Sequence, residues 1–272
     1  MKNIHNSFRL YPLQLFVFLA ITINVAYAQE QPDLSLYEQQ LFLQGEDTLP
    51  CRILSPIHFS TGKKYPLIVF LHGSGERGND NESQLTWGGS LFLDSANREK
   101  FPAIVVFPQC PKDSSWSVRV KNQAGDSVKF RFPLDLPPTR PLQMVMNFID
   151  TLVKSGVVDT RRIYLGGLSM GGFGTFELLW RRPRLFAAAF PICGGGNPAA
   201  ASMYGKKFPI WVFHGTDDDA VPVNNSRIMV EALKATGAKV KYNEYPGVKH
   251  NSWINAFAEP ELLPWLFAQR KK

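Results

Sequence analysis

Arg162-Ile163-Tyr164-Leu165-Gly166-Gly167-Leu168-Ser169-Met170-Gly171-Gly172-Phe173-Gly174 is the stretch that decides the fold. It opens as a short apolar strand and passes through Gly167-Leu168-Ser169-Met170-Gly171. It continues from Met170 to Trp180 as a helix that Arg182-Pro183 ends. Gly-x-Ser-x-Gly between a strand and a helix is a sharp elbow that lifts a serine hydroxyl above the end of a sheet. Its glycines are needed because a side chain there would strike the neighbouring strand or helix. Gly172 and Gly174 extend the small face, so the helix can pack close. Ser169 is the candidate nucleophile.

Working outward, Leu67–Leu71 and Ala103–Phe107 are continuous apolar runs without polar alternation. Strands of a parallel sheet covered on both faces read this way. Further strands are expected at Phe186–Ile192, Ile210–Phe213 and Val240–Tyr245. Amphipathic helices are expected at Leu142–Val153 and Arg227–Ala235, with a closing helix at Glu261–Gln269. Glu38–Gln44 and Thr48–Ser55 flank Gly45-Glu46-Asp47 and read as an antiparallel hairpin. Pro111–Pro138 is irregular and polar, an excursion over the sheet. The alternation predicts an α/β fold, a mostly parallel doubly wound sheet with an N-terminal antiparallel hairpin, in a single domain over 29–272.

A serine hydroxyl needs an adjacent base. Of five histidines, His5 lies in the leader and His58 precedes the first buried strand. His72 and His214 each end a strand before a glycine, where a histidine serves the backbone beneath a site. His250 remains, in the loop after the last strand, which suits the chain order serine, aspartate, histidine. The acid should follow Ile210–Phe213, where Asp217-Asp218-Asp219 stand together. Counting back from Val221-Pro222 favours Asp218, with Asp217 as runner-up. Two backbone N–H groups should hold the developing oxyanion. One is that of Met170. The other comes from the glycine-rich loop Leu71–Gly78, where Ser74 is preferred and Gly73 is the alternative.

Composition narrows the class. The 272 residues are 44% hydrophobic and 19% charged, enough apolar surface for a core and not a disordered chain. Met1–Ala28 has the basic start, apolar run and Ala26-Tyr27-Ala28 site of a cleaved signal peptide. The strongly apolar part, Leu13–Ile23, is too short for a spanning helix. Cleavage would leave 244 residues and, without Lys2 and Arg9, lower the net charge from +7 to +5. A secreted or periplasmic location is expected, with no stable membrane insertion. Basic residues are scattered and no nucleic-acid partner is expected. Cys51, Cys110 and Cys193 allow one disulfide at most, and buried thiols are an equal reading. No Cys-x-x-Cys or His-Glu-x-x-His spacing signals zinc, so no metal and no cofactor are expected. Oligomeric state is not legible.

Together, Leu71–Gly78, Phe107–Pro111 with Trp116, Tyr164–Gly172, Phe213–Pro222 and Tyr245–Trp253 resemble the α/β-hydrolase superfamily. They are most similar to serine esterases allied to carbohydrate esterase family 1 and dienelactone hydrolase, a group that includes predicted peptidases. The resemblance implies cofactor-independent hydrolysis of carboxylic esters by Ser169, His250 and Asp218. Acetylated or feruloylated glycans are the preferred substrates. Serine peptidase activity is the alternative, and a non-catalytic carbohydrate-binding protein a minor one. Trp116, Arg77 and Trp253 are candidate substrate contacts, since aromatic faces suit sugar rings and aromatic acyl groups. Glu76 reads as a partner for Arg77.

Overall fold

The computed structural model describes residues 33–121 and 130–272. The expected signal peptide, 1–28, lies outside the described residues. In chain order the strands are β1 (Glu38–Gln44), β2 (Asp47–Leu54), β3 (Tyr65–Leu71), β4 (Ile104–Pro108), β5 (Val120–Lys121), β6 (Phe130–Arg131), β7 (Val158–Leu168), β8 (Ala188–Ile192), β9 (Pro209–Gly215) and β10 (Lys239–Tyr245). The helices are α1 (Gly89–Leu93), α2 (Ser95–Lys100), α3 (Arg140–Lys154), α4 (Met170–Arg181), α5 (Ala201–Tyr204), α6 (Asn224–Ala235), α7 (Trp253–Phe257) and α8 (Leu262–Phe267).

Eight strands form one sheet in the order β1-β2-β4-β3-β7-β8-β9-β10. The hairpin β1–β2 and the β2–β4 pair are antiparallel, and every other pair is parallel. β5 and β6 form a separate two-stranded ribbon within the expected excursion. The register explains the apolar runs. In β3, Leu67, Val69 and Leu71 face a core shared with Leu142 and Val145 of α3, Phe176 of α4 and Met229 of α6. Ile68 and Phe70 face the other core, with Phe92 of α1 and Leu262 and Leu266 of α8. Alternate residues of one strand thus enter two cores, so both faces must be apolar.

Several elements run longer than their apolar patterns. β7 begins at Val158, five residues before Ile163, because Tyr65 pairs with Val158 across an irregularity whose extra residues lie on β7. α3 begins two residues before Leu142, the first apolar position of its pattern. Thr139 caps it by accepting from the Leu142 N–H, and Pro141 sits in the first turn, where its missing N–H costs nothing. The closing helix expected at Glu261–Gln269 is present as α8, and a short helix outside the expected pattern, α7, precedes it across the turn around Glu259 and Pro260. All three cysteines are buried free thiols. Among the described residues no helix is long and apolar enough to cross a membrane.

Candidate active site

The parallel strands β3, β7, β8, β9 and β10 present their C-terminal ends together, and the candidate residues collect there. Ser169 follows β7 directly, at φ 52° and ψ −114°. Positive φ is costly for a residue with a Cβ. It is held because the Ser169 N–H donates to the Ile192 carbonyl at 2.9 Å and α4 begins at the next residue. The flanking glycines make the close approach possible. A Cβ on Gly167 would collide with the Gly171 backbone, and one on Gly171 with the Leu71 carbonyl.

Ser169 Oγ lies 2.9 Å from His250 Nε2, and His250 Nδ1 lies 2.7 Å from Asp218 Oδ2. Residues from three separate loops therefore form one hydrogen-bonded row. Of the three adjacent aspartates, Asp218 is the one that reaches the imidazole. Its Oδ1 accepts from the backbone N–H groups of Ala220 (3.0 Å) and Val221 (2.7 Å), which turns Oδ2 toward His250. Asp217 is engaged with the Thr216 hydroxyl at the surface. Burial alone would raise the Asp218 carboxyl. Hydrogen bonds from His214, His250 and the Val221 N–H outweigh burial and hold it well below the usual carboxylate range. A fixed anion beside Nδ1 keeps that nitrogen protonated and leaves Nε2 free to accept the serine proton.

His214 has more contact with this row than its sequence setting promised. Its Nε2 lies 2.8 Å from the Val221 carbonyl and 3.3 Å from Asp218 Oδ2, and its Nδ1 lies 2.7 Å from Ser226 Oγ. Both neighbours of Nε2 are acceptors, so that nitrogen carries a proton and helps to seat Asp218. His72 acts on the other side of the site. Its Nε2 accepts from the Cys110 N–H at 2.9 Å, so its Nδ1–H donates to the Gly73 carbonyl at 2.6 Å. Burial lowers its pKa to about 4, which keeps this neutral tautomer. The Gly73 carbonyl and the Ser74 N–H belong to one planar trans peptide and point in opposite directions. Holding the carbonyl therefore aims the Ser74 N–H.

Ser74 and Met170 are each the first residue of a helical turn. Their N–H groups have no acceptor within their own turn. The Arg77 guanidinium donates to the Ser74 carbonyl (3.0 Å) and the Ser114 carbonyl (3.1 Å), bracing this loop, and Glu76 is not its partner. The reading of Trp116 as a substrate contact is corrected. Its side chain is fully buried, its indole N–H donates to the His72 carbonyl at 3.1 Å, and its Cβ fills the space that Gly174 leaves open. No face remains for a ligand. Trp253 is half-buried at the start of α7 and stands edge-on to His250, with ring centroids 5.4 Å apart.

Among the described residues, Cys193, Asp218 and His250 form the one grouping within reach of a shared cation, with candidate donor atoms within 4.8 Å of one another. The donors do not suit one. Burial first, and the Asp218 charge second, push the Cys193 thiol well up, and Asp218 already accepts from four neighbours. A small cavity of about 20 Å³ between Leu54, Phe92, Phe101 and Phe267 shares no residue with the row. Hydrogen-bond geometry, not depth, marks this site.

Sheet order, elbow and the Ser169–His250–Asp218 row define an α/β-hydrolase. Residues 139–259 match the phospholipase/carboxylesterase family. A solved thermostable esterase is 38% identical with a TM-score of 0.78, over 88% of this chain and 64% of that one. A bifunctional acetylxylan esterase/xylanase of Neocallimastix patriciarum is 32% identical over 57% of this chain and 20% of its own length. Feruloyl esterase B of Piromyces equi is 27% identical over 70% of this chain and 33% of its own length. The chain thus spans a fifth to two-thirds of these relatives. It has the α/β-hydrolase fold and is similar in sequence to carboxylic ester hydrolases.

Proposed function

We propose that the chain is an exported serine hydrolase that cleaves carboxylic esters through Ser169, His250 and Asp218. The observation that carries this reading is the hydrogen-bonded row, Oγ to Nε2 at 2.9 Å and Nδ1 to Oδ2 at 2.7 Å. His250 Nε2 takes the Ser169 proton as Oγ attacks the ester carbonyl carbon. The tetrahedral oxyanion is held by the N–H groups of Met170 and Ser74. On collapse, His250 returns its proton to the departing alcohol and leaves an acyl-serine. Water, deprotonated by the same imidazole, then attacks the acyl carbon. The acid departs and Ser169 recovers its proton.

Acetylated or feruloylated glycans, or fragments of them, are the substrates we favour. The acetylxylan and feruloyl esterase relatives support this choice. Trp253, beside the base, and Arg77, which keeps guanidinium N–H groups beyond the two spent on carbonyls, are the side chains we assign to substrate contact. Export rests on the tripartite pattern of residues 1–28. Acetylated xylan, methyl ferulate and a peptide amide compared in one assay test the substrate class. The glycan ester or the ferulate should be cleaved fastest, and faster cleavage of the amide would refute the choice.

A further inference from the structure

Glu76 is a half-buried charge that this chemistry leaves unexplained. Its carboxyl folds back over the turn it belongs to, and its Oε2 is buried with no hydrogen-bond partner. A Cβ built on Gly73 would stand 2.9 Å from that oxygen, 2.8 Å from Leu168 Cδ1 and 3.7 Å from Ser169 Cβ. The carboxyl is therefore wedged against Gly73, one side chain's breadth from the nucleophile. Burial pushes it above the ordinary glutamate value, opposed by the N–H groups of Gly73 and Glu76 and by the indole of Trp87, which face it.

The other braces on this turn all act on its carbonyls or on residues beyond it. His72 holds the Gly73 carbonyl, Arg77 the Ser74 carbonyl and Gln109 the Glu76 carbonyl, while the Gly78 N–H donates to the Cys110 carbonyl. On the Ser169 side the turn is pressed by Leu168 Cδ1 and by the Glu76 carboxyl, and the carboxyl also faces the N–H groups of Gly73 and Glu76. Trp87, which faces the carboxyl, packs on Trp253 with centroids 5.6 Å apart, and Trp253 stands against His250. Glu76 thus connects the oxyanion turn to the loop that carries the base.

We propose that Glu76 is a positioning residue, wedged against Gly73 and coupled through Trp87 and Trp253 to His250, that sets the aim of the Ser74 N–H at the oxyanion. The proposal rests on the esterase reading above. A donor aimed at an oxyanion acts where charge develops, so its misplacement lowers kcat and leaves KM nearly unchanged. Gln at this position keeps the shape of the wedge and an oxygen to face the N–H groups, whereas Ala removes both.

The test is 4-nitrophenyl acetate hydrolysis by wild type, Glu76→Ala and Glu76→Gln, with thermal unfolding followed in parallel. Glu76→Ala should lower kcat about 10- to 100-fold, the lower part of the range for losing an oxyanion donor, with KM within about threefold. Glu76→Gln should recover most of that loss. An unchanged kcat in Glu76→Ala, a loss confined to KM, or a Gln variant no better than Ala each overturns the proposal. If Glu76→Ala does not fold, Trp87→Phe keeps an aromatic ring, though a smaller one, and removes the indole N–H. It should lower kcat at constant KM, and an unchanged kcat contradicts the coupling. Failure of the esterase reading itself looks different, because wild type would then show no Ser169-dependent turnover of this ester.

Discussion

Replacing Asp218 by Asn separates what this side chain does for shape from what it does for charge. In the native site Oδ1 accepts from two backbone N–H groups, at 3.0 and 2.7 Å. An Asn must keep its own oxygen there, because turning the amide would set an NH₂ against two donors. Its NH₂ then faces His250 Nδ1, which has to become an acceptor. The imidazole proton moves to Nε2, 2.9 Å from Ser169 Oγ, and the base can no longer take the serine proton. A wrong tautomer of this kind costs about 10⁴ in kcat, or about 5.5 kcal/mol of transition-state stabilisation. Asp217→Asn should remain within about twofold of wild type, since its partner is the Thr216 hydroxyl and surface substitutions of this kind are mild. Initial rates on 4-nitrophenyl acetate measure both. An Asp218→Asn enzyme keeping more than about a tenth of wild-type kcat would refute the tautomer argument. An equal loss in Asp217→Asn would also refute it.

Two further outcomes follow from contacts around the site. Trp116→Phe removes the indole donor to the His72 carbonyl and some buried volume, so it should cost about 1–3 kcal/mol of stability while leaving KM within about threefold; a large rise in KM without destabilisation would return Trp116 to the substrate. Asp80 accepts from the backbone N–H groups of Glu82 and Ser83, the Ser83 hydroxyl and the Gln109 amide, which together outweigh burial and hold its carboxyl well below the usual range. A depressed folded pKa contributes stability above the unfolded value, near 4, that is lost as pH falls through the folded one. The Tm gap between wild type and Asp80→Asn should therefore be full at pH 7 and shrink below about pH 4, and a gap that widens on acidification would contradict this.

The elbow was legible because its constraints are local. Five residues with glycine at both ends, set between an apolar run and a helix, allow few other conformations. The sheet was legible because β3, β4 and β8 are buried on both faces and carry no polar alternation. Asp218 was harder. Three adjacent aspartates have the same chemistry, and what separates them is which one meets the N–H groups of Ala220 and Val221, a fact of turn geometry. Trp116 misled because a tryptophan in a polar loop resembles a binding platform. Its burial depends on the missing side chain at Gly174, 58 positions away. α7 is five residues long and too short to show a period, so the helix that presents Trp253 to His250 left no pattern. The part His214 plays beneath Asp218 was only half visible, since its position at a strand end announced a backbone role and not the carboxylate contact.

The central claim is that Ser169 is the nucleophile of an ester hydrolase. Ser169→Ala, assayed on 4-nitrophenyl acetate beside wild type at equal concentration of folded protein, tests it most directly. Loss of the attacking oxygen should reduce kcat by about 10⁶, to the limit set by the uncatalysed background. Activity retained at the wild-type level would contradict the account.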